Sequence, residues 1–364
     1  MSRMSFNRAA NQQGLTLIEL MVTIVIALLL LAVIGSVYLA GKRSFNYQNA
    51  TGRVQERARF AMEQISQSIR GIGFQGCGSL TTKVGNMTWN ASWDSSLPNA
   101  EAHWWLLNAV PLRAYSTIPS SAPSSDFAAA ETSKGDLLIT LHPDTTTEHG
   151  ITSAVATADA ITITDTTAFA NGDILVAYDC SRLVVFQKTG GTTTTIQHAA
   201  SGSPGNCQGT FDTTCATGGT SFGLSAGGFV SKLTAEAYYI APASSGNGSS
   251  LWRRRSSTTS SGANTTVAEE IVPGIEGLRV RLGMDTNNDK AADRYVRPES
   301  VGTSDWGNVV GARIELLAVS DEAKLASTAQ TGIQLDGDAT ARNTSDRRLY
   351  RVYSSTINLR NRTY

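Results

Sequence analysis

The chain has 364 residues, with 30 Lys and Arg against 30 Asp and Glu, and 16% of its residues are charged. That length buries a sizeable core as one large domain or two ordinary ones. The charge balance excludes a global field of the kind that draws a protein to nucleic acid or to an acidic surface, and the richness in Ser, Thr, Gly and Ala suits short strands and polar loops outside the cytoplasm better than a helical enzyme.

A polar leader, residues 1–14, carries Arg3 and Arg8 and ends at Gly14. From Leu15 to Ala40 run 26 residues with one formal charge, Glu19. As a helix this stretch extends roughly 39 Å, enough to span a bilayer. An ordinary secretory signal places its small-residue cleavage site after the apolar run. Here the small residue precedes it, so a cut after Gly14 leaves the apolar helix as the mature N-terminus. A carboxylate close to the start of such a helix is costly in lipid unless paired, so Glu19 demands a cation. Lys42 and Arg43 beyond the helix nearly balance Arg3 and Arg8, so charge asymmetry leaves orientation open.

The residues Gly14-Leu15-Thr16-Leu17-Ile18-Glu19-Leu20-Met21 resemble the prepilin processing motif of type IV pilins, with Leu15 where Phe is usual. The resemblance implies that a prepilin peptidase cuts after Gly14 and methylates the new amine of Leu15. It also implies that Glu19 meets the N-terminal amine of a neighbouring subunit during assembly. The location implied is a single pass of the bacterial inner membrane with the C-terminal domain periplasmic, then the base or tip of a pilus at the cell surface. The plainer alternative is a signal anchor that only tethers a periplasmic domain.

After the span, Val54, Ala58, Ala61, Ile65, Ile69 and Ile72 recur at spacings of three or four, an amphipathic stripe. It predicts that residues 41–75 continue the helix to about Arg70 and pack on a sheet. Gly41 and Gly52 are expected weak points, each costing about 1 kcal/mol relative to Ala. The stretch Gly71 to Gly76 reads GxGxxG, but it closes a helix where a dinucleotide fingerprint must open one, so it reads as a helix stop.

Residues 76–364 read as a mostly-β globular domain. Between Leu80 and Ser133 the Trp cluster Trp89, Trp93, Trp104 and Trp105 lies in Pro- and Ser-rich sequence that predicts surface insertions. Short strands are predicted at Asp136 to Leu141, Ala160 to Thr164, Asp173 to Tyr178 and Arg182 to Gln187. Gly190 to Ser231 is dominated by Gly, Thr and Ser and predicts loop. The clearest alternation comes last, in Leu278 to Met284, Val310 to Leu316 and Leu349 to Arg360, which predicts three strands of one antiparallel sheet.

The cysteines are Cys77, Cys180, Cys207 and Cys215. None forms a CxxC pair and the four His are scattered, so a structural zinc site has no support. In an exported domain they suggest two disulfides with three possible pairings. With seven residues between them, Cys207 and Cys215 are placed to staple a loop, leaving Cys77 for Cys180.

The phrases Ser250-Leu251-Trp252-Arg253-Arg254 and Val272-Pro273-Gly274-Ile275-Glu276-Gly277-Leu278, the segment Arg57 to Cys77 and the closing Arg347 to Arg362 resemble PilW-type minor pilins. The resemblance covers both ends of the chain well and its middle poorly. It implies an α+β fold of type IV pilin kind, a long N-terminal helix packed on an antiparallel β-sheet with large loop and β insertions. It further implies a non-enzymatic minor pilin that primes pilus assembly in a tip complex and supports adhesin display. The partners implied are a prepilin peptidase, other minor pilins, the major pilin, a tip adhesin and the inner-membrane assembly platform. A minor pseudopilin of type II secretion and a membrane-tethered adhesin are the alternatives.

Asp285, Asn287, Asp289 and Asp293, with the carbonyl of Ala291, stand at positions 1, 3, 5, 9 and 7 of an EF-hand-like loop and suggest a structural calcium. Lys290 replaces the usual Gly, and Val296 the bidentate Glu. No organic cofactor is expected. Gly219-Thr220-Ser221-Phe222-Gly223 matches GxSxG, but every His precedes Ser221, contrary to the order of that hydrolase fold. Arg253-Arg254-Arg255 reads as a solvated or ion-paired face, not a nucleic-acid site.

Overall fold

The computed structural model describes residues 16–72, 87–89, 112–117, 127, 130, 134–165, 168–179, 182–202, 205–206, 208–212, 220–262, 264–302, 305–336, 338 and 341–359. One helix, α1 (Leu17–Gly71), runs for 55 residues, roughly 82 Å at the α-helical rise. Thr16 caps it in a reciprocal box. The Glu19 amide donates to Thr16 Oγ1 at 3.3 Å, and the Thr16 amide donates to Glu19 Oε2 at 3.1 Å, satisfying two orphan donors. The helix ends where Ile72 turns to extended backbone, its amide still donating to Ile69 O at 3.2 Å. It is unbroken at Gly41 and Gly52, the expected weak points, where a Cβ would meet no atom within 4 Å.

The described strands form two sheets. The larger holds β1 (Met87–Trp89), β2 (Leu112–Tyr115), β3 (Leu137–Ser153), β4 (Ala160–Ile163), β5 (Ile174–Tyr178) and β6 (Leu183–Gln187). It continues with β7 (Gly190–Gly191), β8 (Thr195–Gln197), β9 (Phe229–Pro242), β10 (Ser249–Thr258) and β11 (Asn264–Pro273). Its order is β1-β6-β5-β9-β3-β4-β8-β7, with β2 added to β3, and β10 joining β9 to β11. The smaller sheet, ordered β13-β12-β14-β15, comprises β12 (Ile275–Met284), β13 (Arg294–Val296), β14 (Val309–Val319) and β15 (Tyr350–Asn358). Pairing is antiparallel throughout, except that β1 lies parallel to β6. Gly274, at φ +77°, carries the chain from one sheet to the other. A Cβ there would come within 2.9 Å of the Val319 carbonyl oxygen, so both conformation and space favour glycine.

The helical stripe is the keystone of the main core. Val54, Ala58, Ala61, Ile65, Ile69 and Ile72 are all at most 1% exposed, and they pack with Leu138, Tyr238 and Ile240 of the larger sheet and Leu278, Ile314 and Leu316 of the smaller. The helix therefore seats between both sheets, not on one. A second core, built on Ile151, Ile161, Leu175, Phe186, Ile196, Phe211 and Phe222, lies away from the helix.

Three expectations need correction. β3 runs on to Ser153, well past Leu141, because β9 and β4 pair with its polar second half. The stretch from Leu80 to Ser133 is not all surface insertion: β2 pairs with β3 and Phe127 is buried against Tyr239. Gly190 to Ser231 contributes β7, β8 and the start of β9, and single apolar residues within it, Ile196, Phe211 and Leu224, fill the second core. Isolated apolar residues carry no periodicity, which is why that stretch read as loop.

Replacing Ile65 by Ala is expected to cost about 3 kcal/mol, as for a fully buried aliphatic side chain, while Phe60→Ala, half exposed on the same helix, should cost under about 0.5 kcal/mol. Urea unfolding of the full chain in detergent measures both. Equal effects would mean that the helix is not docked.

Candidate assembly interface

The lower half of α1 is apolar on every face. From Leu17 to Leu39 the large aliphatic side chains are exposed, Leu17 at 77% and Leu31 at 64%. A helix apolar all round belongs in lipid or among other helices, and this one has the length and a mean hydropathy of 3.0 that a membrane span requires. Burial against the domain begins only at Ala50.

Glu19 sits at the start of this apolar half. Its carboxylate is engaged with Thr16, through the amide and Oγ1, both at 3.1 Å. The expected need for a cation is thus met in part by a local cap, a role written in the sequence as Thr16-x-x-Glu19 and missed there. Gly14 and Leu15 lie outside the described residues, as do Cys77, Cys180, Cys207 and Cys215.

Ion pairs fix the helix to the domain above the apolar half. Arg57 grips Asp321 with both guanidinium nitrogens, at 2.7 and 2.8 Å, and Arg53 pairs with Glu322 one turn lower. The Arg57 hydrogen bonds hold the Asp321 carboxyl below the usual carboxylate range. Higher up, Ser68 bonds Thr140, and the Tyr238 hydroxyl donates to the Gln64 carbonyl at 3.4 Å. Pairs so far apart in the chain left no mark in the sequence.

Two buried carboxylates join the remaining elements. Asp136, just before β3, accepts from the Val280 amide of β12 at 2.8 Å and lies 3.4 Å from Arg279, which is held more closely by Asp338 at 2.7 Å. It welds the two sheets. Burial pushes its pKa up to about 6, outweighing that shared cation. Glu236 of β9 is buried too, which alone would raise its pKa. His142 at 3.7 Å, the Tyr238 hydroxyl at 2.8 Å and Arg253 at 3.2 Å prevail and hold it well below the carboxylate range.

The Asp285–Asp293 turn follows β12. Asp285 accepts from the amides of Asn287, Asn288 and Lys290, at 3.2, 2.6 and 2.9 Å. Asp289 accepts from the Ala291 amide, and Asp293 from Thr286, whose bonds lower its pKa. Lys290 adopts φ +68°, the conformation that Gly supplies in a calcium loop. Among the described residues, no group of three or more His, Cys, Asp or Glu is placed to hold a metal ion. The turn as folded closes on its own hydrogen bonds. Ser221 bridges to Asp212 in the second core, and burial pushes His198 there down to about 4, a neutral ring stacked on Phe211.

Residues 237–361, which run from within β9 through β15, match the family model described as Type IV Pilus-assembly protein W. Residues 9–35 match that of the Prokaryotic N-terminal methylation motif. The chain thus resembles type IV pilins of the PilW kind at both ends. Strands β1 to β8 lie outside the matched domain, and β3 to β6 and β8 line the second core. No curated protein matches the chain. Among solved structures, a type IV-like pilin from Thermus thermophilus aligns over 36% of this chain and 70% of its own, at 17% identity and a TM-score of 0.24. The methylation motif implies processing by prepilin peptidase and association of this chain with other pilins, anchored at the cell envelope by its apolar helix.

The two carboxylates predict opposite pH effects. Asp136, raised, favours folding below its unfolded value and loses that contribution as pH rises through about 6. Glu236, depressed, contributes above its unfolded value and loses that contribution as pH falls. Stability of the full chain should therefore rise from pH 7 to 5 and fall below about 4. Asp136→Asn should flatten the upper limb alone; an unchanged slope between pH 5 and 7 would refute its assignment to Asp136.

Proposed function

We propose that this chain is a minor pilin, a non-enzymatic subunit that initiates type IV pilus assembly within a minor-pilin tip complex and supports adhesin display. The observation that carries the reading is the union of a wholly exposed apolar helix, Leu17 to Leu39, with a PilW domain behind a methylation motif. Size supports the minor role. About 350 residues after cleavage at Gly14, with a second core beyond the PilW domain, make a bulky unit to repeat along a helical filament. In this reading the chain passes the inner membrane once with its domain in the periplasm. It contacts the assembly platform, other minor pilins and the major pilin, and then resides at the pilus base or tip.

Glu19 tests the mechanism. Glu19→Gln keeps an oxygen for the Thr16 box but removes the charge that would pair with a neighbour's N-terminal amine. It should abolish assembly, whereas Thr16→Ala should only fray the helix end by about 1 kcal/mol and leave piliation intact. Surface piliation and twitching, measured beside a deletion strain, read both. Normal piliation by Glu19→Gln overturns the pairing, and loss of protein secretion alone in the deletion moves the chain to the pseudopilins.

Structural calcium at the Asp285–Asp293 turn is a further proposal, supported by the oxygen spacing and the left-handed Lys290. EDTA should lower the thermal midpoint of the wild type, and Asp289→Ala should remove the difference. A wild-type midpoint indifferent to calcium would leave a self-capped turn.

A further inference from the structure

Where α1 leaves the domain toward its apolar half, a cleft of about 1300 Å³ opens between helix residues 43–53 and the loop 322–327 that follows β14. The loop descends the helix, since Asp321 meets Arg57 and Glu322 meets Arg53, and Lys324 lines the cleft with Arg43 and Tyr47. Arg347 completes the basic lining. Arg43, Lys324 and Arg347 make no ion pair among the described residues, while Glu322, the acidic residue of the lining, is already committed to Arg53.

Two of these three cations sit on left-handed backbone, Lys324 at φ +62° and Arg347 at φ +55°, a conformation that costs a non-glycine residue free energy. The strain is held by hydrogen bonds between the loops. The Lys324 amide donates to the Asp346 carbonyl and the Ala326 amide to the Arg347 carbonyl, both at 2.9 Å. Like charges are thus gathered by the fold around a recess that holds no free carboxylate among the described residues. That arrangement is repulsive without an anion.

Position identifies the anion. Arg43 is three residues beyond Ala40, the end of the apolar run, about 5 Å along the helix, which is the depth of a headgroup layer beside a hydrocarbon core about 30 Å thick. Exposed Tyr38, Phe45 and Tyr47 flank Arg43 within about 8 Å along the helix, as aromatic residues do near a membrane surface. We infer that this cleft binds the phosphate headgroup of an anionic phospholipid, seating the globular domain on the membrane before the subunit is drawn into a filament. The inference rests on the membrane-anchored reading for the cleft's depth.

The test uses the full chain in nanodiscs of phosphatidylglycerol and phosphatidylcholine against phosphatidylcholine alone, read by hydrogen exchange of segments 322–327 and 345–348 and by lipid retention in native mass spectra. Phosphatidylglycerol should protect both segments and be retained. The combined variant Arg43→Gln, Lys324→Gln, Arg347→Gln should lose retention, by about fivefold for each cation removed. The variant Arg43→Lys, Arg347→Lys should keep it, with the thermal midpoint checking that both fold. Equal retention by wild type and the neutral variant, or no preference for the anionic lipid, overturns the inference. So does protection by inorganic phosphate in detergent equal to that by the lipid, or protection that appears only with other pilin subunits. Failure of the wild type to resist carbonate extraction would instead count against membrane anchoring itself.

Discussion

A single unbroken helix must be hidden from water in two ways. Its upper turns, from Ala50 to Ile72, bury one stripe between two sheets, and each aliphatic side chain there is worth about 1.5–3 kcal/mol removed from water. Its lower turns, Leu17 to Leu39, have no protein to bury against among the described residues. The same physics that folds the domain therefore leaves an apolar rod that demands lipid or the rods of other subunits. Everything else in the molecule is arranged around this division, which falls within a few residues of Lys42 and Arg43.

Because the helix seats between sheets, its docking ties them together. The larger sheet reaches it through β3 and β9, the smaller through β12 and β14. Polar groups at the seams then restrict how the layers meet. Asp136 binds an amide of β12, Glu236 gathers two arginines and Tyr238, and Arg57 grips the loop after β14. Desolvation makes such buried charges poor sources of net stability, yet breaking one partner alone is costly. They act as registration devices. A second core, lined by β3 to β6 and β8, extends this frame beyond the helix.

The envelope reading unites features that are separate in the chain. The motif around Gly14 implies processing, the helix supplies the anchor, and the PilW domain is placed by Arg53 and Arg57 directly above the apolar run. The basic cleft lies at that junction. A domain resting on headgroups would keep its assembly helix extended in the bilayer, and leaving the bilayer would free those cations for neighbouring subunits.

Periodicity and local motifs were legible from the residues alone. The apolar run, the Glu19 position, the stripe from Val54 to Ile72 and the alternation of Leu278 to Met284 each state their structure within a few turns or one strand, because a helix or strand repeats its own burial. The capping box Thr16-x-x-Glu19 was equally local and was overlooked. What the sequence could not disclose depends on meetings across hundreds of residues. The pairing of Arg57 with Asp321, the weld of Asp136 to Val280, the burial of Ile196 and Phe211, and the gathering of Arg43, Lys324 and Arg347 were decided only by the tertiary structure. Single charges and isolated apolar residues carry no period, so their partners are chosen by how the sheets and the helix pack and by nothing written beside them in the chain.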